Sequence, residues 1–127
     1  MNKVFKVGLI GCGHISETYF RGHEYFNNFQ IIKCADINLE NAKKCAETYG
    51  IEACSVDELL NDSEIEIILN LTIPRAHYEV AKKSLEHGKH VYSEKPMAVN
   101  FVEGEELLNL ANSKNLYIGN APDTFLG

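Results

Sequence analysis

No excess of positive charge runs through this 127-residue sequence: 12 lysines and arginines stand against 18 aspartates and glutamates, for a net charge of −6. Basic residues come at most in pairs such as Lys82-Lys83. Such a chain is poorly matched to a phosphate backbone, so nucleic acid is not an expected partner. No apolar run is long enough to cross a bilayer, so no membrane partner is expected either. A secretory leader is not expected, because Lys3 and Lys6 interrupt the first apolar run. The expected location is the cytoplasm. The four cysteines, Cys12, Cys34, Cys45 and Cys54, form no C-x-x-C pair. Their apolar or helical surroundings mark them as buried reduced thiols rather than disulfides or metal ligands, and no metal site is expected. Internal repeats, low-complexity tracts and linker-like stretches are likewise missing.

What is present is an ordinary globular composition, 45% hydrophobic and 24% charged, in a length that suits one domain with one core. Strand and helix patterns alternate along it. Val4 to Ile10, Phe29 to Ala35, Glu52 to Cys54, Ile65 to Leu71, His90 to Ser93 and Leu116 to Gly119 read as strands. Between them lie helical patterns. Ile15, Tyr19 and Phe26 mark the first, and Leu39 to Tyr49 form the second, with Gly50 as its stop. Ser55-Val56-Asp57-Glu58 is a capping box opening a short helix. Pro74 opens a helix that turns Ala76, Tyr78, Val80, Ala81 and Leu85 inward and ends before Gly88. Asn100 is placed to cap a last helix from Phe101 to about Ser113. This order predicts an α/β fold, a doubly wound parallel Rossmann sheet of about six strands with helices on both faces. Ligands of such sheets bind at the carboxyl edge, where every strand-to-helix turn lies.

The first of those turns is the most informative stretch. An apolar strand runs directly into Gly11-Cys12-Gly13-His14-Ile15-Ser16, and a helix follows. Gly11 permits a tight turn and Gly13 lets the backbone approach a pyrophosphate, which the helix N-terminus then favours electrostatically. Ser16 stands where the fingerprint usually has Gly or Ala. A glycine-rich turn that binds nothing is the alternative, and context decides between the two.

Asp36 supplies part of that context. It ends the second strand, about 20 residues beyond the turn, where an acidic residue accepts hydrogen bonds from the adenosine ribose. No Arg or Lys follows it, only Ile37, Asn38 and Leu39, which favours NAD over NADP. Its alternative role, helping to cap the next helix, is one that Asn38 can fill. The turn after the fourth strand carries Thr72, Ile73, Pro74 and His77. Thr72 and Ile73 are placed to approach the adenine or the pyrophosphate with backbone and apolar contacts, whereas Pro74 is sensible at a first helical position without any function and a helical histidine such as His77 is commonly structural. Glu94-Lys95-Pro96 ends the fifth strand. It reads equally well as a solvated loop or as a lysine of lowered pKa that polarises a substrate oxygen during hydride transfer.

Taken together, VGLIGCGHIS, CADIN, Thr72-Ile73-Pro74 with His77, and HGKHVYSEKPMA (His87 to Ala98) resemble the cofactor domain of the glucose–fructose oxidoreductase, inositol dehydrogenase and MocA family. The resemblance covers essentially the whole chain. It implies an NAD(P)-dependent oxidoreductase acting on sugars, cyclitols or related polyols. It implies that Gly11, Gly13, His14 and Ile15 line the pyrophosphate, that Asp36 holds the adenosine ribose, and that Thr72, Pro74 and His77 shape the pocket. It further implies that Glu94 and Lys95 sit by the nicotinamide ribose, with Lys95 catalytic, and that Asn120 lies near the nicotinamide. Family members carry a second, C-terminal α/β domain with most of the substrate pocket, through which they commonly form homo-oligomers. On this reading residues 1–120 are the cofactor domain and 121–127 begin the connection to a domain absent here, so the chain alone is expected to be inactive. Two other readings stand beside it. One is a non-catalytic dinucleotide-binding sensor or regulatory module, which does not need Lys95. The other is a related fold holding S-adenosylmethionine, which the Glu-Lys-Pro segment opposes.

Overall fold

A computed structural model describes residues 5–11, 29–72, 74–93 and 101–120 of the chain. The elements come in the order β1 (Phe5–Ile10), β2 (Phe29–Ala35), α1 (Leu39–Tyr49), β3 (Glu52–Ala53), α2 (Val56–Leu60), β4 (Ile67–Asn70), α3 (Pro74–Glu86), β5 (His90–Ser93), α4 (Phe101–Ser113) and β6 (Ile118–Asn120). The strands form one six-stranded sheet in the order β3-β2-β1-β4-β5-β6, and every paired neighbour is parallel. This is the doubly wound arrangement expected from the alternation of patterns. Its strand order reverses between β1 and β4, the place where such sheets open a crevice at their carboxyl edge. The helix expected on Ile15, Tyr19 and Phe26, and the Asn100 cap, lie outside the described residues.

Local chemistry fixes the helix ends. The Asn38 side chain accepts a hydrogen bond from the Glu40 backbone N–H at 3.0 Å, satisfying one of the donors that open α1. Gly50 then stops α1 in a left-handed conformation. At α2 both bonds of the capping box are present: Glu58 N–H donates to Ser55 Oγ, and Ser55 N–H donates to the Glu58 carboxylate, each at 3.1 Å. The Ser55 N–H, above all, holds the Glu58 carboxyl below its ordinary range.

The core lies on both faces of the sheet. Val7, Leu9, Ile31, Cys34, Cys45, Leu69 and Leu71 pack on the face covered by α1. On the other face Ile10, Ala35, Leu59, Leu60, Ile65 and Ile68 pack beneath α2, and Ala81, Leu85, Val91, Leu107 and Ala111 join α3 and α4. Cys34, Cys45 and Cys54 are buried thiols, as expected; Cys12 lies outside the described residues. A bulge offsets β2 against β1: Val7 pairs with Ile31 but Gly8 with Lys33. The extra residue, Ile32, resets the pleat, so that Ile31 and Cys34 share a face although three positions apart. The bulge also presents Lys33 to Asp62 at 2.6 Å and to Glu52 at 3.3 Å.

Limits differ from the sequence expectation in three strands, and β4 and β6 also end at Asn70 and Asn120 rather than at Leu71 and Gly119. β3 stops at Ala53, although Cys54 N–H still donates to Cys34 at 3.0 Å. β4 begins at Ile67 because Ile65 closes a turn onto Asp62. β6 begins at Ile118 because Asn115, in a left-handed conformation at φ 58°, ends the α4 turn and Leu116 N–H folds back to Ala111. The crossover from β3 to β4 is pinned by Lys89, which is 6% exposed. Its ammonium donates to the carbonyls of Asp62 at 2.6 Å and Ile65 at 2.7 Å. Burial pushes the Lys89 pKa below its ordinary value.

Candidate functional site

The carboxyl ends of β2, β1 and β4 stand side by side, and the expected site residues fall on them. Gly11 follows β1 at φ 101°, a conformation that side-chain-bearing residues rarely adopt. A Cβ there would stand 2.6 Å from the Leu71 carbonyl carbon, 2.7 Å from its oxygen and 2.8 Å from Thr72 N. Gly11 is therefore in close contact with the backbone that follows β4. It is stitched on both sides: Gly11 N–H donates to Ala35 at 2.9 Å and Leu71 N–H donates to Ile10 at 2.8 Å. Glycine is required at this position on two independent grounds.

Asp36 stands one residue past β2, and its Oδ1 accepts the Asn38 backbone N–H at 2.8 Å. That bond orients the carboxylate, while Asn38, not Asp36, caps α1. Ile37, next to it, is 89% exposed. On the far side of β1, the fully buried Asn70 ends β4. Its Oδ1 takes hydrogen bonds from Thr72 N–H at 3.3 Å and Thr72 Oγ1 at 2.6 Å. Pro74 is the first residue of α3 and His77 lies in its first turn. Asn120 ends β6 in register with Ser93 of β5.

Beside these strand ends a cleft of about 510 Å³ opens. Ile37 lines it from the β2 turn, Ser55, Val56 and Asp57 from the start of α2, and Ala76, Glu79, Val80 and Lys83 from α3. Its lining is mainly apolar and includes the charged residues Asp57, Glu79 and Lys83.

The structure thus brings Gly11, Asp36, Thr72 and the start of α3 with Pro74 and His77 to one sheet edge. Asn120 reaches the same edge at the end of β6, three strands away from β1. Gly13, His14, Ile15, Glu94 and Lys95 lie outside the described residues. The sequence reading gave no role to Asn70 or to the walls of the cleft. Ile37 offers a signal in the sequence, an apolar residue in a turn where a polar one is common. Among the described residues no group of three or more His, Cys, Asp or Glu is gathered to hold a metal ion, and no helix is long and apolar enough to cross a membrane.

Comparison with known proteins bears on this edge. Residues 5–121 match the model of the GFO/IDH/MocA oxidoreductase family, NAD-binding Rossmann fold. A glucose-6-phosphate 3-dehydrogenase of Bacillus subtilis is 33% identical over 107 residues, 84% of this chain and 30% of that protein. The scyllo-inositol 2-dehydrogenase (NADP(+)) IolW of the same organism is 31% identical over 115 residues, 89% of this chain and 32% of that protein. The crystal structure of biliverdin reductase from Synechocystis with biliverdin and NADP+ superposes with a TM-score of 0.84 at 29% identity, over 91% of this chain and 37% of that one. The chain spans about a third of the length of these relatives.

Proposed function

The chain belongs to this oxidoreductase family with an NAD-binding Rossmann fold, and from that premise we propose that it is the dinucleotide-binding part of an enzyme moving hydride between a nicotinamide and a sugar, cyclitol or related polyol. The observation that carries the reading is Gly11 pressed against the backbone that follows β4 at the reversal of strand order, with Asp36 one strand away. The residues present fit the cofactor. Gly11 leaves backbone, not side chain, at the mouth of the crevice, and Asp36 offers an oriented carboxylate to paired ribose hydroxyls. The adenine end of the dinucleotide belongs in the cleft beside Ile37, Val56 and Val80. Gly13, His14 and Ile15 would complete the pyrophosphate turn, and Glu94, Pro74, His77 and Asn120 the remaining wall.

We further propose NAD as the preferred cofactor. Adjacent relatives include proteins named for or crystallised with NADP, but Asp36 sets a negative charge where a 2′-phosphate would lie, and Ile37 and Asn38 offer it no cation. Bound at this edge, NAD would supply the hydride acceptor. Lys95 would stabilise the substrate alkoxide or assist its proton transfer as the hydride leaves. The substrate pocket and the main acid–base group would come from a further domain, 121–127 being the start of the connection, so the 127 residues alone should bind cofactor without turnover. Assembly of the complete enzyme as a homo-oligomer belongs to the same proposal.

The test is NAD-dependent oxidation of a polyol panel by the protein extended through such a domain, with Lys95→Ala beside it. Turnover that falls by a factor of about 100 or more in the variant is expected from loss of acid–base assistance. Turnover unchanged by Lys95→Ala, or none in either form while NAD still binds, would favour a non-catalytic dinucleotide-binding module.

A further inference from the structure

Asn70 is fully buried, and its contacts with Thr72 are chemically unambiguous. A backbone N–H can only donate, so the Asn70 side-chain atom that Thr72 N–H meets at 3.3 Å is the carboxamide oxygen. The Thr72 hydroxyl lies 2.6 Å from that same oxygen and must therefore donate to it. A hydroxyl has one proton. With that proton spent on Asn70, Thr72 Oγ1 presents only lone pairs to anything that approaches it. Its best partner is a donor, and a phosphate oxygen, itself an acceptor, is excluded.

Position narrows the partner further. Thr72 is two residues past β4, Gly11 one residue past β1 and Asp36 one residue past β2, and these strands are neighbours in the order β2-β1-β4. Neighbouring strands lie about 4.8 Å apart, so Thr72 and Asp36 flank the glycine turn on opposite sides, about 10 Å from each other. A dinucleotide with its diphosphate at Gly11 has one ribose on each side. The ribose toward Asp36 belongs to adenosine.

We propose that Asn70 is a positioning residue that locks Thr72 Oγ1 as a hydrogen-bond acceptor for a hydroxyl of the second ribose, the one bearing nicotinamide. The inference rests on the dinucleotide reading of the preceding section. It adds a specificity device: a donor-only requirement at one end of the site, set by a buried amide that itself never meets the ligand.

Calorimetric titration of the chain with NAD and with ADP, which lacks the second ribose, tests this. Thr72→Val should weaken NAD binding about twofold to tenfold, the range for one lost hydrogen bond, and leave ADP binding unchanged. Thr72→Ser should keep wild-type affinity. Asn70→Ala should weaken NAD alone, and Asn70→Ala with Thr72→Val should bind no more weakly than Thr72→Val, because Asn70 acts only through that hydroxyl. A double variant weaker than both singles, or an ADP loss equal to the NAD loss, assigns Asn70 a structural role and overturns the proposal. If Asn70→Ala does not fold, Thr72→Val decides by itself: NAD affinity equal to wild type overturns it. Failure of the wild-type chain to bind either nucleotide would instead overturn the dinucleotide reading on which it rests.

Discussion

Replacing Gly11 by alanine probes its contact with the backbone that follows β4, and the structure provides its own control. Gly11 combines φ 101° with a Cβ position 2.6–2.8 Å from the backbone of Leu71 and Thr72. Backbone cannot swing aside as a long side chain can. The conformational strain costs about 1–3 kcal/mol, and forcing atoms into a filled space costs about 1–3 kcal/mol more. Gly50 also has positive φ, at 67°, but nothing lies within 4 Å of its Cβ position. Gly50→Ala should therefore show the strain alone, about 1 kcal/mol for a left-handed alanine. Urea unfolding followed by circular dichroism measures both. Gly11→Ala should lose about 2–6 kcal/mol, a large share of the 5–15 kcal/mol typical of a domain, and clearly more than Gly50→Ala. Equal losses in the two variants would refute the claim that Gly11 is in close contact with the backbone that follows β4.

Other consequences follow from single contacts. Lys89→Met leaves the Asp62 and Ile65 carbonyls without their buried donor and should cost about 1–3 kcal/mol in the same unfolding assay. Ser55→Ala removes the capping box of α2 and should cost about 1 kcal/mol; a change below a few tenths would mean that tertiary packing alone holds that helix. The Lys33 hydrogen bond, first of all, holds the Asp62 carboxyl below its ordinary range. A carboxyl depressed in the folded state stabilises above its unfolded pKa and loses that contribution as pH falls through its folded pKa. The stability gap between wild type and Lys33→Met should accordingly be full at neutral pH and close as the pH drops below ~4. Asp36→Ala with Ile37→Arg should shift nucleotide preference from NAD toward NADP in calorimetry, and a wild-type preference for NADP would contradict the ribose assignment.

Much of this architecture could be read in advance because local chemistry and tertiary packing agree. Asn38, Ser55 and Gly50 are cap residues by type, and each caps the helix end it marks. The helix limits at Leu39, Tyr49, Phe101 and Ser113, and the strands Phe29–Ala35 and His90–Ser93, are where periodicity places them. Alternation implied a parallel sheet, whereas the strand order comes from pairings between distant segments, which no local pattern encodes. The bulge in β2 was hidden because Phe29 to Ala35 carries no glycine or proline to announce it. Asn115 was hidden because an asparagine in a left-handed turn looks in sequence like any polar loop residue. At the sheet edge, the positions of Gly11 after β1 and Asp36 after β2 were legible through their spacing from the first strand. Asn70 was not, because a polar residue at a strand end gains its meaning only when burial and the Thr72 hydroxyl are seen together. The cleft was not, because its walls come from β2, α2 and α3, which only folding brings together.

The central claim is that this sheet edge holds NAD across the β2, β1 and β4 turns. Its most direct test is calorimetric titration of the chain with NAD, wild type beside Asp36→Ala. Saturable binding by wild type at up to millimolar NAD, lost or weakened about tenfold or more without the carboxylate, is the predicted result. No binding at millimolar NAD, or binding indifferent to Asp36, would contradict it.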